Sequence, residues 1–334
     1  MKQGAEQKMI NERMRRMKTI VFGGTGFIGG HVVEQLHLNG HQVTAAVRDT
    51  SNTTFLESLG IHVVNVDFSD STALRKVIEG HEVVYNCTAD AKLHTKISLD
   101  APVEIQLTRA LVEAAASCGV SRFIQLSTIV IYDFQSNEPI DESYSSQPEY
   151  PIQSLGIERE KIIEEAGRKH GITTIILRPA STIGARDVSS FFARLFMAHA
   201  NDQYPMIGNG AATVSLVDTR DIGRAMVWLG TYQKPEQDNG IYLLKGFDTT
   251  WNQLKTEIDC VAGKISKVIH LPETITDKQL IEYKLTPFAM KTFTVNRLWN
   301  DNKIRNLGFH TKYSLTNAVK SAVKDLMVRM ATTY

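Results

Sequence analysis

The first half of the chain changes rhythm repeatedly between two hydrophobic patterns. Ile20-Val21-Phe22, Val43–Val47, Val63–Val66, Val83–Cys87 and Arg122–Leu126 are short, largely apolar runs without strict in-out alternation. Such runs predict strands buried on both faces. Between them, Ser51–Leu59, Ser71–Glu79 and Val103–Ser117 mix polar and apolar residues at helical spacing. Strand and helix alternating in this way imply right-handed crossovers and an α/β, doubly wound parallel sheet.

The first strand runs directly into glycines, in the stretch Phe22-Gly23-Gly24-Thr25-Gly26-Phe27-Ile28-Gly29-Gly30. Glycines at 23, 26 and 29 suit a sharp turn, a close approach of backbone N–H groups to a pyrophosphate, and a helix packed near the strand it leaves. Phosphates would rest on the positive end of that helix. Val32, Val33 and Leu36 share one helical face, and Gly40 stands where a helix-ending glycine belongs.

Composition narrows the alternatives. The 334 residues carry a net charge of +1 and are 43% hydrophobic, with no basic surplus for nucleic acid. Cys87, Cys118 and Cys260 are scattered and odd in number, which suits a reducing, cytoplasmic setting and no metal site. No apolar run nears the roughly 18 residues that span a bilayer. Residues 1–16 carry Arg13, Arg15 and Arg16 beside Glu6 and Glu12 without the apolar centre of a secretory signal, and are expected to form a flexible extension.

Ligands of a doubly wound sheet lie beyond the carboxyl ends of its strands. After the second strand stand Val47 and Arg48, where an NAD-binding protein would carry an acid for the ribose 2′-hydroxyl. A guanidinium there pairs with a 2′-phosphate, so NADP(H) is expected over NAD(H). Asp67-Phe68 after the third strand would face the adenine edge. Thr88-Ala89 after the fourth are small enough to let a dinucleotide pass.

These segments resemble the extended short-chain dehydrogenase/reductase family, which includes nucleotide-sugar epimerases, dehydratases and dihydroflavonol reductases. Gly23 to Gly29 match its GxxGxxG turn, and Thr44–Asp49 look like its NADP-preferring members. Leu126-Ser127-Thr128-Ile129-Val130-Ile131-Tyr132 resemble the strand bearing the catalytic Ser/Thr, and Leu177-Arg178-Pro179 open the segment that closes over the nicotinamide. Ser215–Ile222 resemble a later Val-Asp-x-x-Asp element, and Ile304–Phe309 with Tyr313–Leu315 the family's usual finish. The resemblance implies a Rossmann-type domain over 17–180, with 217–245 returning to it, and a smaller C-terminal substrate lobe of 181–216 and 247–330. It implies cofactor contacts at Gly23, Thr25, Gly26, Phe27, Ile28, Gly29, Arg48, Asp67, Phe68, Thr88, Ala89, Ser127 and Pro179. A homodimer formed through two helices per subunit is implied as well.

The family's reaction uses a Tyr and a Lys four positions apart, the Tyr as acid/base and the Lys lowering its pKa. Thr128 retains the partner hydroxyl. Counting back without gaps from Leu177-Arg178-Pro179, however, the Tyr position falls on Ile152 and the Lys position on Gly156. Tyr132, Tyr150, His94 and water remain as stand-in proton carriers, although a Tyr without an adjacent cation keeps a pKa near ~10. No His-Glu-x-x-His, Gly-x-Ser-x-Gly or Gly-Lys-Ser/Thr motif is present. His37 and His41 are expected as cap or surface residues, and Phe191–Met197 as a core-facing helix. Arg186, Arg220, Arg224 and Arg297 either meet a nucleotide diphosphate or pair with Asp187, Asp218 and Asp221. Two readings stay open: an NADP(H)-binding sensor, regulator or assembly subunit with a degenerate site, acting on a protein partner, or an oxidoreductase or epimerase on a small carbonyl or nucleotide-sugar substrate.

Overall fold

The computed structural model describes residues 16–89, 103–232, 240–276, 279 and 285–332. Residues 1–15 of the expected terminal extension, and His94, lie outside them. The chain divides into two compact units. The first holds residues up to Ser127, Ser154–Arg178 and Ile222–Tyr242; the second holds Thr128–Gln153, Pro179–Asp221 and Leu243 onward.

A seven-stranded sheet organises the first unit. Its strands are β1 (Lys18–Phe22), β2 (Gln42–Val47), β3 (His62–Asn65), β4 (Val83–Asn86), β5 (Arg122–Leu126), β6 (Thr173–Pro179) and β10 (Gly240–Leu244), in the order β3-β2-β1-β4-β5-β6-β10. The pairs from β3 through β6 are parallel, with Thr19 opposite both Val43 and Val83. The first crossover runs outward through β2 and β3 and the chain then returns to β4, so the order reverses between β1 and β4. Crossover helices are α1 (Gly29–Leu38), α2 (Thr54–Ser58), α3 (Ser71–Ile78), α4 (Val103–Ser117) and α5 (Pro151–His170).

The two-face burial expected of the strands is present at β1 and β4, where Ile20, Val21, Phe22, Val83, Val84 and Tyr85 are all inaccessible. Leu74 and Ile78 from α3, Leu111 and Val112 from α4, and Ile162 and Ile163 from α5 share one apolar cluster with Phe22, Val84 and Phe123. Helix α4 matches its expected span end to end. Helix α2 is shorter than the expected Ser51–Leu59, because Asn52 Oδ1 accepts the Thr54 N–H at 3.1 Å and closes a turn before the helix starts. His41 is buried rather than superficial, with its Nδ1 accepting the Met17 N–H at 3.3 Å.

The second unit carries β7 (Ser181–Ile183), β9 (Thr213–Asp218) and β11 (Phe247–Thr250) in one sheet, and β8 (Tyr204–Ile207) with β12 (Val268–Leu271) in another. Helices α6 (Phe191–Ala200), α8 (Trp251–Ala262), α9 (Pro287–Thr294), α10 (Asn302–Asn306) and α11 (Leu315–Thr332) belong to it; α7 (Thr219–Thr231) begins in the second unit and continues in the first. Phe192 and Phe196 of α6 join Trp251, Leu254, Val319 and Val323 in its core, as the apolar Phe191–Met197 run implies. Segment 128–153, expected with the nucleotide-binding region, groups with this unit. Ile140 exchanges backbone hydrogen bonds of 2.8 Å with Leu298 and Asn300, and Glu142 Oε1 accepts the Leu243 N–H at 2.6 Å.

Candidate functional site

At the end of β1 the chain turns through Gly23, whose φ of +79° is left-handed. A Cβ there would also lie 2.6 Å from the Cys87 carbonyl oxygen, so the turn presses against the end of β4. Gly29 is constrained more tightly: its Cβ would stand 2.1 Å from the Gly23 carbonyl oxygen. Gly26 has more room, at 3.2 Å from that oxygen, and its N–H closes the turn onto Gly23 at 3.0 Å. Thr25 and Gly26 are exposed at the tip, and Phe27 and Ile28 are half-buried.

Helix α1 then begins at Gly29 with Ile28 as its N-cap, without a side-chain cap and without an acid in its first turn. Helices α3, α6, α8 and α9 all differ, being capped by Asp70, Ser190, Thr250 and Thr286. The Gly30 N–H donates to the Gly26 carbonyl at 3.0 Å and the His31 N–H to the Ile28 carbonyl at 2.9 Å, so what fits a pyrophosphate is the positive end of a helix reached over glycines, with no side-chain cap and no acid in its first turn.

Other expected contacts follow the neighbouring strands. Val47 is 2% exposed whereas Arg48 is solvent-exposed, and the Arg48 carbonyl accepts the Ser51 N–H at 2.9 Å. Asp67 is engaged in its own turn, with Oδ1 accepting the Ser69 N–H at 2.9 Å and the Ser69 hydroxyl at 2.7 Å. Those two bonds hold its carboxyl below the usual aspartate pKa. Phe68 packs edge-on against Phe22 at 5.6 Å between ring centres. Thr88 donates both its N–H (3.1 Å) and its hydroxyl (2.7 Å) to Asn86 Oδ1. Asn86 in turn donates to Gln125 at 2.8 Å, tying β4 to β5, and Ala89 beyond the turn is exposed.

Sequence reasoning missed the group of charges beside β4, β5 and β6. The Ser127 hydroxyl donates to Glu160 of α5, so its proton is committed to the protein. Glu160 and Arg178, 4% and 7% exposed, form a two-point pair with Nε–Oε1 3.0 Å and Nη2–Oε2 2.5 Å. One residue earlier, Arg159 donates from Nε to Thr108 Oγ1 and from Nη2 to the Thr88 carbonyl, both at 3.0 Å. Both residues fall in helical register with the buried Ile162 and Ile163, the signal that could have exposed them. Helix α5 is continuous through Ile152 and Gly156.

In the second unit, Thr128 is half-buried and caps the 3₁₀ turn Ile129–Ile131, its Oγ1 accepting the Val130 N–H at 3.1 Å. The hydroxyl proton of Thr128 is not used by that bond. Tyr132 is inaccessible, its hydroxyl donates to the Asp141 carbonyl at 3.1 Å, and Trp299 lies 5.3 Å from its ring. Its ring and hydroxyl are thus engaged within the protein, unlike the exposed proton carrier expected there. Tyr150 is half-buried, edge-on to Phe134 and Phe288, and burial raises its pKa above the ordinary phenol value, reinforced by the charge of Glu149. Pro179, the last residue of β6, is buried.

Two of the candidate arginines are committed. Arg220 grips Asp218 at 2.9 and 2.6 Å and lies 3.7 Å over the Tyr313 ring. Arg297 donates to the Tyr132 carbonyl at 3.2 Å and stacks 4.0 Å over Phe134, and burial lowers its pKa to about 10. At Arg186 the backbone N–H, at a φ of +69°, donates to Asp325 at 2.9 Å. Among the described residues no group of three or more His, Cys, Asp or Glu is placed to hold a metal, and no helix is long and apolar enough to cross a membrane.

Known proteins resemble this chain in sequence or in fold. Cinnamoyl-CoA reductase 1 of Oryza sativa is 26% identical over 258 residues, covering 71% of this chain and 73% of that protein. Sterol-4-alpha-carboxylate 3-dehydrogenase, decarboxylating, of Dictyostelium discoideum is 24% identical over 87% of this chain and 95% of its own length. Among solved structures, UDP-glucuronic acid 4-epimerase of Bacillus cereus, in complex with UDP-glucuronic acid and NAD, superposes with a TM-score of 0.79. It is 21% identical and covers 94% of this chain and all of that one, a likeness of fold. The model of the NAD dependent epimerase/dehydratase family matches residues 19–244, and with the parallel sheet and glycine turn described above, the chain belongs to that family of nicotinamide-dinucleotide proteins.

Proposed function

We propose that the chain binds NADP(H) on the first unit and that any chemistry it performs does not use a Tyr-Lys pair. The bound nicotinamide would supply or accept hydride. The turn Gly23–Gly29 would hold the pyrophosphate on the uncapped start of α1, with Thr25 and Gly26 exposed at its tip. Arg48 carries the preference for the phosphorylated dinucleotide: it is exposed directly after β2, where an acid would repel a 2′-phosphate. Ile152 has no titratable proton and Gly156 no charge, so the helix positions matching the family's acid/base pair contribute neither. This supports a cofactor-responsive protein with a degenerate site, acting as a sensor or regulator or through altered chemistry.

The deciding experiment is a direct titration with NADPH and NADH, substrate omitted. NADPH-selective binding that Arg48→Glu weakens by about tenfold or more, with NADH spared, is expected. Equal loss of both ligands would remove Arg48 from the reading. Absence of binding to either would end the dinucleotide reading.

A second reading rests on Thr128 and Tyr150. The Thr128 hydroxyl has a proton to give a substrate oxygen, and the raised pKa of Tyr150 keeps that phenol protonated as an acid. NADPH consumption at about 1 s⁻¹ or faster with a member of a carbonyl and nucleotide-sugar panel would establish this reading over the first.

A further inference from the structure

Helix α5 brings no cation at Gly156, but one turn later, three residues on, it brings Arg159. Its guanidinium is aimed at the end of β4: Nη2 donates to the Thr88 carbonyl and Nε to Thr108 of α4, each at 3.0 Å. Thr88 also stands against the glycine turn, with its nitrogen 3.0 Å from where a Gly23 Cβ would be. Arg159 therefore bridges two crossover helices and the short turn leaving β4. Burial lowers its pKa, and the negative charges of Glu104 and Glu160 oppose that effect, so the cation is held among acids of the same unit. In a doubly wound sheet the adenylate half of a dinucleotide lies over the β1 side and the nicotinamide half over the β4 side.

We propose that Arg159 is a positioning residue for the nicotinamide half of the cofactor, acting through the Thr88 turn that its guanidinium fixes. This rests on the dinucleotide reading above. A turn anchored through its carbonyl by a charged donor keeps one backbone geometry, because a charge-assisted hydrogen bond is stronger than a neutral one. Removing it should loosen the nicotinamide half more than the adenylate half.

The test compares each full dinucleotide with its own adenylate fragment: NADPH with 2′,5′-ADP, and NADH with 5′-ADP, titrated calorimetrically into the wild type, Arg159→Met and Thr108→Val. Arg159→Met is expected to weaken the dinucleotide about tenfold or more while the fragment stays within about twofold. Thr108→Val, which removes one acceptor and leaves the buried charge in place, should shift the same ratio in the same direction by less. Should Arg159→Met not fold, Thr108→Val decides alone. Parallel weakening of dinucleotide and fragment, or no weakening of either in variants that fold, would overturn the assignment while leaving dinucleotide binding intact. A wild type that binds no dinucleotide would overturn both readings together.

Discussion

The two sides of the seven-stranded sheet are built on different principles. On the β1-β2-β3 side, the candidate contacts are backbone and exposed groups: a glycine turn, a helix start without a side-chain cap and a solvent-facing Arg48. On the β4-β5-β6 side they are buried charged groups. Ser127, Glu160 and Arg178 are locked together there, and Arg159 clasps Thr88 and Thr108. The first arrangement leaves a helix end without a side-chain cap and a cation exposed to solvent. The second engages its charged groups with protein partners, so the two sides should respond differently to the same kind of substitution.

The largest response is expected where charge is buried. Glu160→Ala removes the carboxylate paired with the Arg178 guanidinium, 7% exposed, and should lower unfolding free energy by about 3–5 kcal/mol in a urea titration. Replacing both partners, Glu160→Met with Arg178→Met, should recover most of that loss, because no uncompensated charge remains. A loss below about 1 kcal/mol for the single variant would mean that the pair behaves like a surface ion pair.

Next in size is the glycine turn, where steric fit and ligand fit can be separated. Gly29→Ala places a methyl 2.1 Å from the Gly23 oxygen, a clash that should remove about 1–3 kcal/mol of stability without any ligand. Gly26→Ala has 3.2 Å and a partly open tip, so its stability should change by about 0.5 kcal/mol or less while dinucleotide affinity drops. Equal thermal shifts for the two variants would show that the turn is not rigid. Smaller again, Arg48→Gln should cost NADPH about tenfold, near 1.4 kcal/mol, and leave NADH unchanged in paired titrations.

The glycine turn on the β1 side was legible in the sequence because its signals are local. Glycines at 23, 26 and 29 and an arginine after a β-branched run are local signals, each read within a few residues of its neighbour. Helix α4 was legible too, since Ile105, Leu111, Val112 and Ala115 repeat at helical spacing and are all buried. The charged network was not, because its contacts join distant residues: Ser127 to Glu160 across 33 positions, and Arg159 to Thr88 across 71. No periodicity announces a pairing of that range. Tyr132 shows the same limit from the other side. Its hydroxyl was visible, but its burial against Trp299 and its bond to the Asp141 carbonyl come from the fold.

The smallest effect tests whether an exposed acid on the β1 side is set by local geometry alone. Asp67 is exposed, and its lowered pKa comes first from the Ser69 hydroxyl, then from the Ser69 N–H. A carboxyl whose folded pKa is depressed contributes stability above its unfolded pKa and loses it as pH falls through the folded value. Ser69→Ala removes the first cause and keeps the second. The Asp67 titration followed by carboxyl carbon NMR should therefore move upward, toward but not reaching the ordinary aspartate value, and the acid limb of the stability curve should shift slightly to higher pH. If the titration does not move, the Ser69 hydroxyl is not bonded to Asp67 in solution, and the turn is held by the backbone N–H alone. If it rises fully to the ordinary value, the Asx turn itself depends on that hydroxyl. The edge that Phe68 presents beside Phe22 would then be less fixed than the rest of this side of the sheet.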